Sequence, residues 1–177
     1  MPQSNEFILK TAQTLAPATT AISHHGDFTL VVPLDALVDV LTEFKEHPEL
    51  QFNSLVDVTV IDWKRKGERF DVVYFLYSIP TKARVRVKAA VREDNAHVPT
   101  MVDVWESANW YEREAYDMYG IIFDGHPDLR RFYMPEDFMD SNGEPLWPLR
   151  KDFPLSGIPG SLPLPQKPES ERPEFRN

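Results

Sequence analysis

The stretch Leu55–Val91, LVDVTVIDWKRKGERFDVVYFLYSIPTKARVRVKAAV, decides the fold. Over Leu55–Trp63, apolar Leu55/Val56, Val58 and Val60 alternate with polar residues, the period-two pattern of a half-buried strand. Lys64–Glu68 is a charged segment containing glycine and reads as a turn. Phe70–Ile79 and Ala83–Val91 follow as two further strands, so the three predict an antiparallel meander. Arg84, Arg86 and Lys88 share one face of the last strand. An antiparallel sheet normally has one wet face, so the ordinary reading is a solvated surface. The minority reading is a surface for an anion or a partner protein.

Moving toward the N-terminus, Phe28–Val32 is a short strand after the Gly26–Asp27 turn. Pro33 suits the start of a helix, and Leu34, Leu37, Val38, Leu41 and Phe44 recur at helical spacing until His47–Pro48. Ser4 or Asn5 can cap an earlier helix reaching about Leu15, before Pro17. Toward the C-terminus, Thr100 followed by Asp103 resembles a capping box. One helix or two broken ones then run to Tyr119, where Gly120 is a good stop. The predicted fold is α+β, a small antiparallel sheet with helices packed on it over residues 1–135. A long extended Pro-rich tail over residues 136–177 follows.

The composition narrows the function. A chain of 177 residues with 42% hydrophobic residues can bury a core, and it carries a net charge of -9. That charge opposes broad contact with nucleic acid, which needs a basic footprint. With no cysteine in the sequence, thiolate catalysis and Cys-ligated zinc or iron–sulfur sites have no ligands. The opening MPQSNEFILK lacks a basic-then-apolar pattern and predicts no secretory signal. No apolar run approaches the ~18 residues of a spanning helix, so membrane contact is expected only through a partner. Half of the 16 prolines lie after Glu144. That density excludes helix and central strand. Leu146, Trp147, Leu149, Phe153, Leu155, Ile158, Leu162 and Leu164 would serve there as anchors along a stiffened chain that loses less entropy on docking.

The residues that invite a chemical reading lie in NWYEREAYDMYGIIFDGHPDLRR, Asn109–Arg131. On a helix, Tyr111, Ala115 and Met118 form an apolar stripe. Trp110, Arg113, Glu114 and Asp117 gather on a second face, and Glu112, Tyr116 and Tyr119 on a third. Glu112 and Glu114 therefore point apart and cannot act as the facing carboxylates of a glycosidase. No histidine follows either glutamate at the spacing of a di-iron site, and no H-E-x-x-H occurs. Arg113 and Asp117 stand at i,i+4 and can pair. Trp110 beside them suggests partial burial, either on the domain's own sheet or on another protein. Beyond Gly120, Gly125 and Pro127 force a turn. His126 has no serine or cysteine nucleophile to activate. Asp128 can cap a turn at Leu129, and Arg130 and Arg131 read as forks for carboxylates, within the fold or across an interface. No phosphate-binding glycine loop occurs.

Together, ANWYEREAYDMYGIIFDGHPDLRRFYMPEDF and the later PLRKDFP closely resemble the 30-kDa subunit family of respiratory complex I, NADH:quinone oxidoreductase. Glu112, Arg113, Glu114, Asp117, His126 and Arg130 match its signature in order, and Pro148, Leu149, Arg150, Lys151, Asp152 and Phe153 match its second element. Trp110, Gly120, Pro127, Asp128, Leu129 and Arg131 lie within the same signature stretch. MDSNGEPLWPLR departs from the pattern as an insertion, so Met139–Glu144 is expected to bulge. The length resembles the stand-alone subunit rather than a fusion.

The resemblance implies a non-catalytic assembly subunit of the peripheral arm of a proton-translocating complex. It would sit against the large 49-kDa-type subunit and the iron–sulfur subunits, with the tail wrapping the large subunit. It implies no cofactor on this chain; FMN, iron–sulfur clusters and quinone belong to partner subunits. The implied location is peripheral, on the cytoplasmic side of the cell membrane. Two alternatives stay open. One is the equivalent subunit of a related complex with another electron donor, of ferredoxin type or as in membrane-bound hydrogenases. The other is a stand-alone hydrolase built on His126, Glu114 and Asp117.

Overall fold

Ser4 caps the first helix, its hydroxyl accepting from the backbone N–H of Phe7. The computed structural model describes residues 4–154. In chain order the elements are α1 (Asn5–Leu15), β1 (Thr20–His24), β2 (Asp27–Val31), a 3-10 turn (Leu34–Ala36), α2 (Leu37–Glu46), β3 (Ser54–Asp62), β4 (Phe70–Tyr77), β5 (Arg84–Val91), β6 (His97–Pro99), α3 (Ala108–Tyr119) and β7 (Ile122–Asp124).

The five-stranded sheet has the order β1-β2-β5-β4-β3. The meander of β3, β4 and β5 is antiparallel, with Val58 opposite Tyr74 and Tyr74 opposite Val87. The sheet as a whole is mixed, which corrects the antiparallel expectation: β2 runs parallel to β5, with Thr29 opposite Arg86. The connection through α2 and the β3–β4 hairpin supplies the long crossover that a parallel pair requires. β6 and β7 make a second, two-stranded parallel sheet around α3. Strand β1 is absent from the sequence reading because TAISH is exposed at every position and shows no alternation. Its hairpin turn is the informative feature. His25 and Gly26 both hold positive φ, 50° and 88°, which matches the twist of a tight two-residue hairpin.

One face of the sheet carries the core. Val58, Val60, Val72, Tyr74, Leu76, Val85 and Val87 point to it, and Ile8, Ala12, Leu37, Leu41, Phe44, Ala108 and Ala115 of the three helices cover them. Burying a side chain of Leu or Phe size contributes about 1.5–3 kcal/mol, so α1 and α2 are held by packing rather than by helix propensity. The opposite face presents Arg84 over Tyr77, Arg86 over Phe75, and Lys88 near Asp71 and Trp63.

The expected helix start at Thr100 is corrected. Residues 101–107 form turns, and α3 begins at Ala108. The Thr100 hydroxyl accepts from Val102 N–H but donates to the distant Glu112. A tertiary contact thus uses the group that would have capped a local helix. Gly120 ends α3 with φ 72°. Among the described residues, no helix is long and apolar enough to cross a membrane.

Candidate functional site

α3 places its charged residues in four different environments. Glu112 is fully buried; it accepts from Thr100 Oγ1 at 2.5 Å and from the Met101 N–H at 2.7 Å. Burial pushes its carboxyl up to about 7, against the lowering effect of those two hydrogen bonds. Glu114 is exposed, so the two glutamates do diverge.

Arg113 and Asp117 are both buried, but they do not form the expected i,i+4 ion pair. Asp117 Oδ1 accepts from Arg131 at 3.0 Å, and its Oδ2 accepts from the backbone N–H groups of Phe132, Tyr133 and Met134 at 3.1, 2.8 and 2.9 Å. A single carboxylate therefore orders the chain after the turn. The local reading failed because the stronger, charge-assisted partners come from a segment that returns only in the tertiary fold. Arg113 donates through Nε to the Arg130 carbonyl at 3.2 Å, and its guanidinium lies between Trp110 and Phe132, 5.0 Å from each ring. Trp110 is itself 59% exposed. The expected partial burial of this face thus holds for its charges, Arg113 and Asp117, more than for the ring, because Ala108, Glu112 and Ala115 occupy the inward face.

The turn after α3 is a closed network. The Asp128 N–H donates to His126 Nδ1, leaving His126 Nε2 to donate to the Asn109 carbonyl at 3.1 Å. His126 thereby staples the Gly125–Pro127 turn to the start of α3. Arg130 and Asp128 pair at the surface at 2.9 Å, and the guanidinium holds the Asp128 carboxyl below the usual carboxylate range. Leu129 packs against the core. Arg131 is buried. It donates to the Leu146 carbonyl at 3.1 Å and stacks on Trp147, 4.6 Å from the ring centroid.

Arg131 thereby connects the turn to the second signature element. A Cβ on Gly120 would lie 2.5 Å from the Trp147 ring, so glycine is required there by space as well as by φ. The Leu149 N–H donates to the Met118 carbonyl, and Arg150 Nε donates to the Tyr119 carbonyl at 2.6 Å. Burial, with repulsion from Arg69, lowers the Arg150 pKa. Asp152 meets Arg69 at 2.8 Å, the Lys151 N–H reaches Asp62 at 2.8 Å, and Phe153 stacks on Phe138. Pro148 is half-buried and Leu149 is 52% exposed. The departing segment forms a compact turn: Met139 bridges Pro145, and Asp140 accepts from the N–H groups of Asn142 and Glu144.

Over 136–154, then, the proposed arm lies on its own domain, and Leu146, Trp147 and Phe153 are used there. The anchors Leu155, Ile158, Leu162 and Leu164 lie outside the described residues. The sequence reading missed the clasp that receives this segment. Arg69 is almost fully buried and forks onto Asp62 at 2.8 and 3.0 Å, while also meeting Glu93 and Asp152. Burial would raise the Asp62 carboxyl, but Arg69 and the N–H groups of Lys151 and Lys64 hold it well below the usual range. A signal was present: Asp62 stands at the same inward parity as Val58 and Val60, where a charge demands a partner. Among the described residues there is no group of three or more His, Cys, Asp or Glu side chains placed to hold a metal ion.

Known proteins resemble this chain in sequence and fold. The family of the respiratory-chain NADH dehydrogenase 30 Kd subunit matches residues 30–159. The C-type subunit of NADH-quinone oxidoreductase from Geotalea uraniireducens is 42% identical over 158 residues, covering 89% of this chain and 92% of that one. A C-type subunit of NADH-quinone oxidoreductase from Rhizobium meliloti is 48% identical over 138 residues, 78% and 72% of the respective chains. Among solved structures, the trypsin-resistant fragment (1-134) of Nqo5 superimposes with a TM-score of 0.63 at 34% identity, covering 70% of this chain and 98% of the fragment. A chain of the membrane-bound sulfane sulfur reductase, an archaeal respiratory membrane complex, gives 0.69 at 28% identity, covering 86% and 87%. The chain belongs to the family of the 30-kDa subunit of respiratory-chain NADH dehydrogenase.

Proposed function

We propose that this protein is a non-catalytic docking subunit in the peripheral arm of a proton-translocating NADH:quinone oxidoreductase. The observation that supports this reading best is the use made of the signature residues. Asp117, His126, Arg131 and Arg150 hold α3, the Gly125–Pro127 turn and the second signature element together, while Glu112 ties α3 to Thr100 and Met101 and Asp152 ties the second element to Arg69. The side chains left outward from that scaffold, Trp110, Arg130, Tyr133 and Leu149, are of types found at protein interfaces more than in active sites. Electrons would pass through FMN and iron–sulfur clusters of neighbouring subunits on their way to quinone. This chain would seat the large 49-kDa-type subunit against the iron–sulfur subunits, on the cytoplasmic side of the membrane. The arm that wraps the large subunit would begin near residue 154, after the clasp formed by Arg69 and Asp62.

A second reading shares the same role in a complex with another electron donor, favoured by the likeness to a chain of the archaeal sulfane sulfur reductase. Tagged full-length protein, recovered from membranes in mild detergent, tests the first reading. The expected result is co-purification of a 49-kDa-type subunit and iron–sulfur subunits with NADH:quinone activity. Recovery of the chain alone, or with a complex that does not oxidise NADH, would overturn it.

A further inference from the structure

We infer that Arg113 is the seat for a carboxylate side chain of a partner protein, at the centre of an aromatic docking patch. The inference rests on the docking role proposed above and names the chemistry of the contact. Arg113 is only 5% exposed, yet no acidic group among the described residues pairs with it. Its neighbours are already committed. Asp117 accepts from Arg131 and three backbone N–H groups. Glu112 accepts from Thr100 and Met101. Asp128 is taken by Arg130, which holds its carboxyl low with a smaller contribution from the Arg113 charge.

Of the five guanidinium N–H groups only Nε–H has an acceptor among the described residues, the Arg130 carbonyl. The guanidinium is fixed by its stack between Trp110 and Phe132. The two Nη groups are not among the fully buried atoms that lack a partner, so they open to the surface where a partner's carboxylate can reach them, and the poor hydration of this mostly buried cation is offset when an opposite charge is supplied with good geometry. A planar fork held rigid in advance loses little entropy on accepting a carboxylate. The surroundings fit such a contact. Trp110 and Tyr133 are 59% and 57% exposed, and Phe132 touches both rings. Trp, Tyr and Arg together are the composition of an interface hot spot, with the aromatic rings excluding water from the ion pair. The occupant is therefore an Asp or Glu of a partner subunit, flanked by apolar residues that cover the two rings.

The test uses tagged full-length chain in its membrane complex, with Arg113→Met, Arg113→Lys and Trp110→Ala. Arg113→Met keeps the apolar stem and removes the charge together with the guanidinium's ring contacts and its hydrogen bond to the Arg130 carbonyl. It should lower the melting of the free chain by a few degrees without unfolding it, while co-purified partner falls about tenfold or more, the scale expected when one member of a buried charge pair is removed. In complexes carrying Arg113→Lys, a water-soluble carbodiimide should join the introduced amine to an Asp or Glu of a partner. Unchanged partner recovery with Arg113→Met would overturn the inference. So would a crosslink found only within this chain, to Asp128 or to Glu169, Glu171 or Glu174. Should Arg113→Met unfold the free chain, Trp110→Ala decides, since its ring is largely outside the fold: unchanged recovery overturns the inference and a loss supports it. If the unsubstituted chain itself recovers no partner, the docking role fails and this contact with it.

Discussion

Gly120→Ala should release the second signature element while leaving the domain folded. Two costs arise at this residue. The left-handed backbone, φ 72°, costs a non-glycine residue roughly 1–2 kcal/mol. The added methyl would also sit 2.5 Å from Cε2 and 2.8 Å from Cδ2 of Trp147, which real contacts do not allow. A flat ring cannot bend aside, so it must leave. Its departure breaks the stacks with Arg131 and Arg150 and the contact with Tyr116, and it frees the Leu149–Met118 and Arg150–Tyr119 hydrogen bonds. The backbone term alone lowers melting by roughly 2–8 °C in a chain of this size. Undocking acts on a different observable. Each 1.4 kcal/mol lost from the docked segment raises its open population about tenfold, and cleavage of a rapidly opening segment follows that population. Limited trypsin digestion should therefore cut after Arg150 and Lys151 at least about tenfold faster in Gly120→Ala. An unchanged cut rate at those two bonds would refute the reasoning. A melting point lowered by much more than about 10 °C would also count against it, since Gly120 would then be supporting the core.

Two further perturbations concern the buried charges. Glu112 has a carboxyl raised from 4.5 to about 7, so the folded state keeps a proton that the unfolded state releases. Stability from this residue is fully present below about pH 4.5 and is lost as pH rises to about 7, a loss of about 3 kcal/mol. In urea unfolding, Glu112→Gln should remove that fall between pH 5 and 8, and a fall of equal size in the variant would contradict the assignment. Arg69→Met leaves Asp62 buried without its fork, an uncompensated charge that costs roughly 3–5 kcal/mol. It should lower the urea midpoint and expose the bond after Lys151 to trypsin together; loss of one without the other would separate the clasp from the docked segment.

How much of this was legible in the sequence depends on how local each cause is. The helix Leu37–Glu46 and the meander from β3 to β5 follow from periodicity, because burial of one face writes itself into the order of residues, and the helix Asn5–Leu15 follows from its capping residue and the proline after it. Gly120 was legible as a stop because a left-handed cap favours one residue type. Its second duty, making room for Trp147, was not, since that ring arrives from a distant segment. The same limit hid the parallel β2–β5 pair, the Asp117–Arg131 bridge and the Asp62–Arg69 clasp to Asp152. In each case partners distant in sequence meet through a crossover or a returning loop. Helical projection separated Glu112 from Glu114 but gave no hint that Glu112 would be the fully buried one. The cause lies in Thr100 and Met101, which reach it from the preceding turn.

The most direct test of a docking role without chemistry of its own is to measure assembly and turnover separately. Trp110→Ala and Arg130→Ala change exposed side chains, with Trp110 at 59%, and leave the Asp117–Arg131 scaffold in place. In membranes carrying either variant, assembled complex would be quantified on native gels, and NADH:quinone turnover divided by that amount. The expected result is less assembled complex with unchanged turnover per complex. Full assembly with collapsed turnover would contradict a docking role and place the chemistry on this chain.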